Sequence, residues 1–404
     1  MKEFSVEIGH KGNFGESAYA KLDLPATWAE FSDALQRAHA SDAKELDYFD
    51  ILYCEKNWLK PHTADCTNIY ELNLLASRLQ EHIPDELDIF EGLVRMDAAR
   101  NGSHIPVSRL INMTFSTSRC MIASNIASDA ELGEVLYEND LLAEMDALAV
   151  NDRMDNGRPA DAMLALLGKE HREGTGGVLT DTGLYLEWDG EIEDAYYPGE
   201  TVYFNHIGVP VVLELSCNEK TVELEFPLSD RRLQIALSAV DAKRLEECNY
   251  RCTDCLIPTA RKWIDEAGDY NDAERFALKL AEIERNGCVP EYKALLEASG
   301  CEDLETAIRL TDEIYEYRLD AECCLFTDYA KKELCKKFPA SENGVDITEY
   351  VNLQSYGKAL MEQNNVVSTN YGMLSRKDGG PILFPEDMTE ENGQEQSGPE
   401  MEMR

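Results

Sequence analysis

The chain has 404 residues, 44% of them hydrophobic, with 78 Asp and Glu against 38 Lys and Arg, a formal net charge of −40. That length can bury the cores of two or more domains. The charge excludes a nucleic-acid or anionic-membrane binder and favours a basic groove as partner. It is spread along the chain: residues 1–200 hold 38 acids and 16 bases, the remainder 40 and 22.

The opening MKEFSVEIGH is polar and lacks the apolar stretch of a secretory signal. No apolar run approaches the ~18 residues of a membrane span. The 12 cysteines show no regular framework, so reduced thiols and a cytoplasmic location are expected.

Taken in order, Phe4 to Ile8 reads as a strand. Leu22-Asp23-Leu24-Pro25 is a second one, stopped by proline. Thr27-x-x-Glu30 is a capping box, in which the hydroxyl takes an orphan N–H and the carboxylate reaches back. It opens a helix carrying Phe31, Ala34 and Leu35. Asn68-x-x-Glu71 opens another, with Leu72, Leu75, Ala76 and Leu79 on one stripe, and a short helix follows over Asp85–Met96. A further helix begins at Asp129 with Leu132, Val135 and Leu136. Gly168 to Gly190 reads as a helix end, a tight turn through Gly183 and a hairpin.

These signals recur. Gly168–Gly190 matches Gly357–Gly379 without a gap at 8 of 23 positions: Gly168/Gly357, Lys169/Lys358, Glu173/Glu362, Val178/Val367, Thr180/Thr369, Gly183/Gly372, Asp189/Asp378 and Gly190/Gly379. Repeated glycines mark backbone that needs φ > 0 or close approach. Upstream, Val211–Leu215 answers Phe4–Ile8. Leu224-Glu225-Phe226-Pro227 with Leu233, Ala236 and Leu237 answers the second strand and its helix. Asn271-x-x-Glu274 with Phe276, Leu280 and Ile283, then a helix over Glu291–Ala298, answers the helical pair; Asp328 with Leu334 answers Asp129. Leu304–Leu319 reads as one helix with a weak counterpart at Arg109–Ser118.

The expected organisation is a tandem duplication. The first unit spans 1–190: sheet and helix over 1–60, helices over 61–105, α+β over 106–190. A linker or hairpin occupies 191–208, where Tyr196-Tyr197-Pro198-Gly199 suggests a turn. The second unit spans 209–380: sheet and helix over 209–265, helices over 266–300, α+β over 301–380. A disordered acidic tail fills 381–404. The fold class is α+β and elongated, each unit having a small antiparallel sheet, a helical middle part and a C-terminal helix plus hairpin.

Candidate chemistry is sparse. Cys252 and Cys255 form a CxxC with Cys248 just before, resembling half a zinc site. The first copy keeps only Cys54 there, which favours packed thiols. Gly168-Lys169 with Gly174, Gly176 and Gly177 has the wrong order for a phosphate loop. His171 beside Glu170 and Glu173 is matched by Leu360 in the second copy, so a solvated helix face is the simpler reading. No GxSxG element is present. The remaining signal is the density of carboxylates. Glu131, Glu134, Glu138, Asp140, Glu144 and Asp146 interleave with Leu132, Val135, Leu136, Leu141, Leu142 and Met145. Helical spacing would bury the second set and expose the first. Glu187, Asp189, Glu191, Glu193 and Asp194 follow. Duplex DNA carries a charge every ~1.7 Å, so forty charges match roughly 70 Å of duplex.

Ile347–Leu360 (ITEYVNLQSYGKAL) and Val367–Gly372 (VVSTNYG without its first Val) resemble the C-terminal signature of ArdA-type antirestriction proteins. Gly12-Asn13-Phe14-Gly15 with Leu22–Pro25 is similar to that family's opening, and Tyr70–Leu79 to its central helices. The resemblance implies an acidic α+β mimic of bent duplex DNA, without catalytic residues or cofactor. Such a mimic fills the DNA groove of a type I restriction–modification enzyme. It assigns Tyr350, Tyr356, Gly357, Thr369, Asn370 and Gly372 to structural roles. At twice the family's usual length, the chain is expected as a homodimer or a single-chain pseudo-dimer. The competing readings are a zinc-stabilised or metal-dependent mobile-element protein, and an acidic adaptor for another basic protein.

Overall fold

The computed structural model describes residues 2–12, 17–102, 104–188, 190–199, 204–339 and 347–382. Asn13–Gly15 of the expected opening motif, and the expected tail from 383 on, lie outside them.

The first half runs β1 (Phe4–Lys11), β2 (Ser17–Leu24), α1 (Trp28–Arg37), β3 (Tyr48–Cys54), α2 (Lys60–Thr63), α3 (Ile69–Glu81), α4 (Pro84–Asn101) and α5 (Val107–Thr114). It continues with β4 (Met121–Ser124), α6 (Asp129–Glu138), α7 (Glu144–Asp155), α8 (Asp161–Thr175), β5 (Val178–Leu179) and β6 (Leu184–Glu187). The second half runs β7 (Val211–Cys217), β8 (Lys220–Phe226), α9 (Asp230–Ala239), β9 (Asn249–Cys255), α10 (Ala260–Ala267), α11 (Tyr270–Arg285), α12 (Val289–Ala298) and α13 (Leu304–Glu313). It closes with β10 (Tyr317–Asp320), α14 (Phe326–Lys337), α15 (Leu353–Asn364), β11 (Val367–Thr369) and β12 (Gly372–Arg376). The fold is α+β, and the same order of elements is met twice. Among the described residues α7 has no helical counterpart, and a 3₁₀ turn at Ile347–Tyr350 stands at that point of the order.

Four three-stranded sheets repeat two topologies: β2-β1-β3 and β8-β7-β9, then β4-β6-β5 and β10-β12-β11. Single hydrogen bonds pin the equivalence. Glu55 N–H donates to Glu3 O at 2.8 Å and Leu256 N–H to Pro210 O at 2.9 Å. Thr114 Oγ1 donates to Ile111 O at 2.7 Å and Thr311 Oγ1 to Ile308 O at 2.6 Å. Asp181 N–H reaches Glu91 Oε1 at 3.5 Å and Asn370 N–H reaches Glu297 Oε1 at 3.1 Å.

By density of contact the chain divides into two compact units. One comprises 1–6, 23–25 and 51–203; the other comprises 7–22, 26–50 and 204–404. This division differs from the sequence boundary at 190–209, because α1 groups with the second half. The reason is chemical. Within that unit, Thr27 Oγ1 donates to Asp254 Oδ1 at 2.8 Å, and Arg261 Nη1 meets Glu30 Oε1 at 2.5 Å. Asp33 lies 2.8 Å from Lys293 Nζ, and the rings of Trp28 and Phe31 pack at a tilt against Phe204, with centroids 5.3 and 5.2 Å away.

Most local signals hold. The capping box closes as expected, with Glu30 N–H on Thr27 Oγ1 at 3.3 Å and Thr27 N–H on Glu30 Oε2 at 3.0 Å. Asn68 Oδ1 caps α3. Four expectations need correction. Asp269, not Asn271, caps α11, two residues earlier than the Asn68 analogy places it. The helix expected over Leu304–Leu319 stops at Glu313, because Tyr317–Asp320 pairs with β12 instead. Glu131–Asp146 is two helices: Asp140 takes φ 56°, and Leu141 N–H closes back on Leu136 O at 2.8 Å. Tyr196–Gly199 forms no hairpin among the described residues. Asn112 Oδ1 instead accepts from the Ala195 and Tyr196 N–H groups at 3.0 and 2.7 Å.

Candidate functional site

The acidic residues singled out from sequence all lie in the first unit, and they separate into two environments. On α6, Leu132 and Leu136 face inward at 1% and 4% exposure, so Glu131, Glu134 and Glu138 point outward by helical period. α6 is clamped against α8. A Cβ on Gly133 would sit 1.9 Å from Leu164 O, and one on Gly168 would sit 2.0 Å from Asp129 O. The two backbones touch, and Arg172 closes the contact on Asp129 at 2.7 and 3.0 Å. That bond holds the Asp129 carboxyl below its usual range and raises the guanidinium.

Glu131 accepts from Ala127 N–H at 2.6 Å. Among the described residues, Glu134, Glu138, Asp140 and Glu144 have no lysine or arginine within ion-pair distance, and all four are exposed. Asp146 is half-buried at the start of α7. Leu141 and Met145, expected inside, are 65% and 76% exposed. The break at Asp140 takes them off the apolar stripe that buries Leu132 and Leu136. The result is an outward, uncompensated row of carboxylates ending in exposed apolar side chains.

The second group does not extend that row. Glu187 turns inward, its Oε2 meeting His171 Nε2 at 3.1 Å and accepting from Tyr185 Oη at 2.8 Å. Asp189 lies outside the described residues. Glu191 and Asp194 line a cleft of about 310 Å³ with Asp97, Arg100, Arg109 and Trp188. There Arg109 forks onto Asp97 at 3.0 and 2.6 Å, which raises the guanidinium, and Arg100 donates to Trp188 O at 2.8 Å. Glu193 is exposed, and its N–H donates to Ser116 Oγ at 3.1 Å. Sequence reasoning missed this cleft, because its arginines stand ~80 residues from the acids they face.

The family-motif residues of the second half are mostly packing elements. Gly357 is buried, and a Cβ there would meet Phe326 O at 2.4 Å, the counterpart of the Gly168 contact. Tyr356 packs on the cluster of Cys323, Tyr329, Leu360 and Met373. Thr369 Oγ1 donates to Gly372 O at 2.8 Å and accepts from Tyr371 N–H at 3.2 Å. Gly372 takes φ 134°, with Asp320 O in the place of its Cβ at 2.5 Å. Asn370 caps onto Glu297 through its N–H and Nδ2. Tyr350 differs: it is 76% exposed.

Cys252 and Cys255 are core residues of β9. A bulge between Val212 and Leu213 brings both onto the core face of β9, opposite Leu213 and Val211. Both are buried, and burial pushes their thiols up, Cys255 to about 12. Cys248 lies at the far, half-exposed end of the strand. Among the described residues, no group of three or more His, Cys, Asp or Glu is placed to hold a metal. No helix among them is long and apolar enough to cross a membrane.

A second concavity, of about 320 Å³, lies between β8 and α9, with Val222, Leu228 and Ile235 as its apolar lining. His206, φ 57°, bridges Glu223 and Glu225 at 3.3 and 3.1 Å at its rim. The corresponding β2–α1 face of the first copy is the one closed by Asp254, Arg261 and Lys293.

Comparison with protein-family models finds no match, and neither does comparison with curated proteins. The likeness to antirestriction proteins therefore rests on the residues quoted above.

Proposed function

We propose that this chain is a non-enzymatic decoy of duplex DNA that occupies the DNA groove of a type I restriction–modification enzyme and inhibits it competitively. The observation that carries the reading is the outer face of α6. Glu131, Glu134 and Glu138 sit three and four residues apart on one side of a helix held rigid by the Gly133–Gly168 contact, continued by Asp140 and Glu144. Carboxylates without a lysine or arginine partner among the described residues, in a chain of net charge −40, match what a lysine- and arginine-lined groove would bind in place of phosphates. The resemblance over Ile347–Gly372 supports the same reading. No cofactor enters the mechanism, and the target places the chain in the cytoplasm.

Because the charge is distributed, single Glu→Gln changes should each cost little. The direct experiment plates unmodified phage on a type I restricting host with and without this gene. Recovery of plaques to the level of a non-restricting host is the expected result. Unchanged restriction with soluble chain present would overturn the proposal. In solution, inhibition should be overcome by competing duplex and should weaken steeply with salt. Salt-insensitive inhibition would contradict groove competition.

A further inference from the structure

The end of the β7–β9 pair carries two thiols that the functional reading does not use. Ser216 and Asn249 are antiparallel register partners, so Cys217 and Cys248 are the next pair across the ladder. After burial, the neighbouring Cys217 sulfur is the next cause that raises the Cys248 thiol. Each sulfur also sits against a carbonyl of the preceding turn: Cys217 Sγ is 3.5 Å from Glu247 O, and Cys248 Sγ is 3.7 Å from Arg244 O. Both cysteines are only partly buried, unlike Cys252 and Cys255 farther along the strand.

The first copy shows independently that these two positions touch. By the Glu3/Pro210 and Glu55/Leu256 equivalence, Cys217 corresponds to His10 and Cys248 to Asp47. His10 Nδ1 and Asp47 Oδ2 are 3.2 Å apart. A histidine–aspartate contact in one copy is a thiol pair in the other. Directly opposed residues in an antiparallel pair have Cα atoms ~4.5–5.5 Å apart, inside the ~4.4–6.8 Å window of an unstrained disulfide.

We propose that Cys217 and Cys248 form a covalent modification site, which closes to a cross-strand disulfide on exchange with a small-molecule disulfide such as oxidised glutathione. The Cys217 thiolate attacks one sulfur of the oxidant, forming a mixed disulfide and releasing one thiol. Cys248 then loses its proton and attacks the Cys217 sulfur, expelling the second thiol. The protein loses two hydrogens as the oxidant gains them. Burial and the neighbouring sulfur push the Cys248 thiol up to about 11, so closure accelerates with pH across the alkaline range. The bridge ties the outer end of β9 to the hairpin carrying β8 and encloses α9.

The test treats the full chain with oxidised glutathione at pH 8, then maps thiols by mass spectrometry and follows melting. The expected result is a loss of two mass units, a Cys217–Cys248 cross-linked peptide and a melting temperature raised by roughly 5–10 °C, reversed by dithiothreitol. Cys217→Ser should instead retain a glutathione adduct on Cys248. The double variant Cys217→His with Cys248→Asp installs the first copy's histidine–aspartate contact; it should fold, lose the mass change and melt independently of reductant. A stable glutathione adduct on the wild-type pair, or a cross-link through any other cysteine, would overturn the proposal. So would two intact thiols after treatment.

Discussion

Asp33 Oδ1 lies 2.8 Å from Lys293 Nζ, both side chains almost fully buried, and accepts a 2.8 Å hydrogen bond from Tyr371 Oη. Arg37 holds the other oxygen at 2.8 Å, and Lys293 also donates to Gln36 at 3.0 Å. At the equivalent places of the repeat stand Ile235 for Asp33, Leu87 for Lys293 and Thr182 for Tyr371. Asp33 belongs to the first copy and Lys293 and Tyr371 to the second, so the buried ion pair joins residues of both, whereas the reciprocal Ile235 is 60% exposed. Asp33→Ala leaves the buried Lys293 ammonium without its carboxylate and should cost about 3–5 kcal/mol, whereas Lys293→Met leaves Asp33 its Arg37 and Tyr371 partners and should cost less. Asp33→Ile with Lys293→Leu should recover most of that loss, giving a coupling of more than about 1 kcal/mol in a denaturant double-mutant cycle. Additive losses would show that the two charges act independently.

The same pair sets an acid dependence. Burial alone would raise the Asp33 carboxyl, but the Lys293 ammonium, Arg37 and Tyr371 outweigh it and hold it below its ordinary 3.8. Its contribution is therefore complete above 3.8 and is lost as pH falls through the lowered value. Asp254 works the other way. Burial raises it against the Thr27 hydrogen bond, so its contribution is present below 3.8 and is lost as pH rises through the raised value. Acid unfolding followed by tryptophan fluorescence should show a steeper loss below pH 3.8 in the wild type than in the Asp33→Ile, Lys293→Leu variant. Equal slopes would remove Asp33 from the acid response.

The helix-contact glycines should respond oppositely to a glycine in open space. Alanine at Gly133, Gly168 or Gly357 would drive a Cβ to within 1.9–2.4 Å of a backbone carbonyl oxygen, forcing helices apart at a cost of at least about 1–3 kcal/mol. Gly174, near the end of α8, has nothing within 4 Å of a built Cβ. Gly174→Ala should stabilise by about 0.5–1 kcal/mol, through helix propensity alone. Urea midpoints of the four variants test both signs together.

Caps, strand alternation and the recurrence of glycines at 168/357 and 183/372 are local or same-register signals, and they foretold the repeated order of elements. Where a tertiary partner decides, the sequence was silent or misleading. Tyr317–Asp320 has the apolar spacing of a helix continuation, yet β12 recruits it as a strand. Leu141 and Met145 fit a helical stripe only if Asp140 is helical. Asp33 looks like an ordinary solvated residue of α1, because its partner is 260 residues away. A clue did exist at Lys293, a lone cation inside the apolar run Tyr292–Leu296. For the acidic row, the spacing on α6 was readable. The inward turn of Glu187 and the arginine-lined cleft holding Glu191 and Asp194 were not.

Net charge should make folding and partner binding respond to salt with opposite sign. In the free chain, the exposed carboxylates of α6 repel one another and the rest of a −40 surface. Added salt shortens the screening length from ~10 Å at 0.1 M to ~3 Å at 1 M, so the urea midpoint should rise with sodium chloride. Glu131→Gln, Glu134→Gln and Glu138→Gln together remove three of those charges without disturbing Leu132 or Leu136. This variant should be at least as stable as the wild type at low salt and gain less from added salt. The same variant should inhibit the restriction enzyme less well, with a shallower salt dependence, because fewer carboxylates meet the basic groove. Measured side by side, equal stability with weaker inhibition separates a binding role for this helix face from a folding one. A triple variant that loses stability and inhibits normally once refolded would remove α6 from the contact surface.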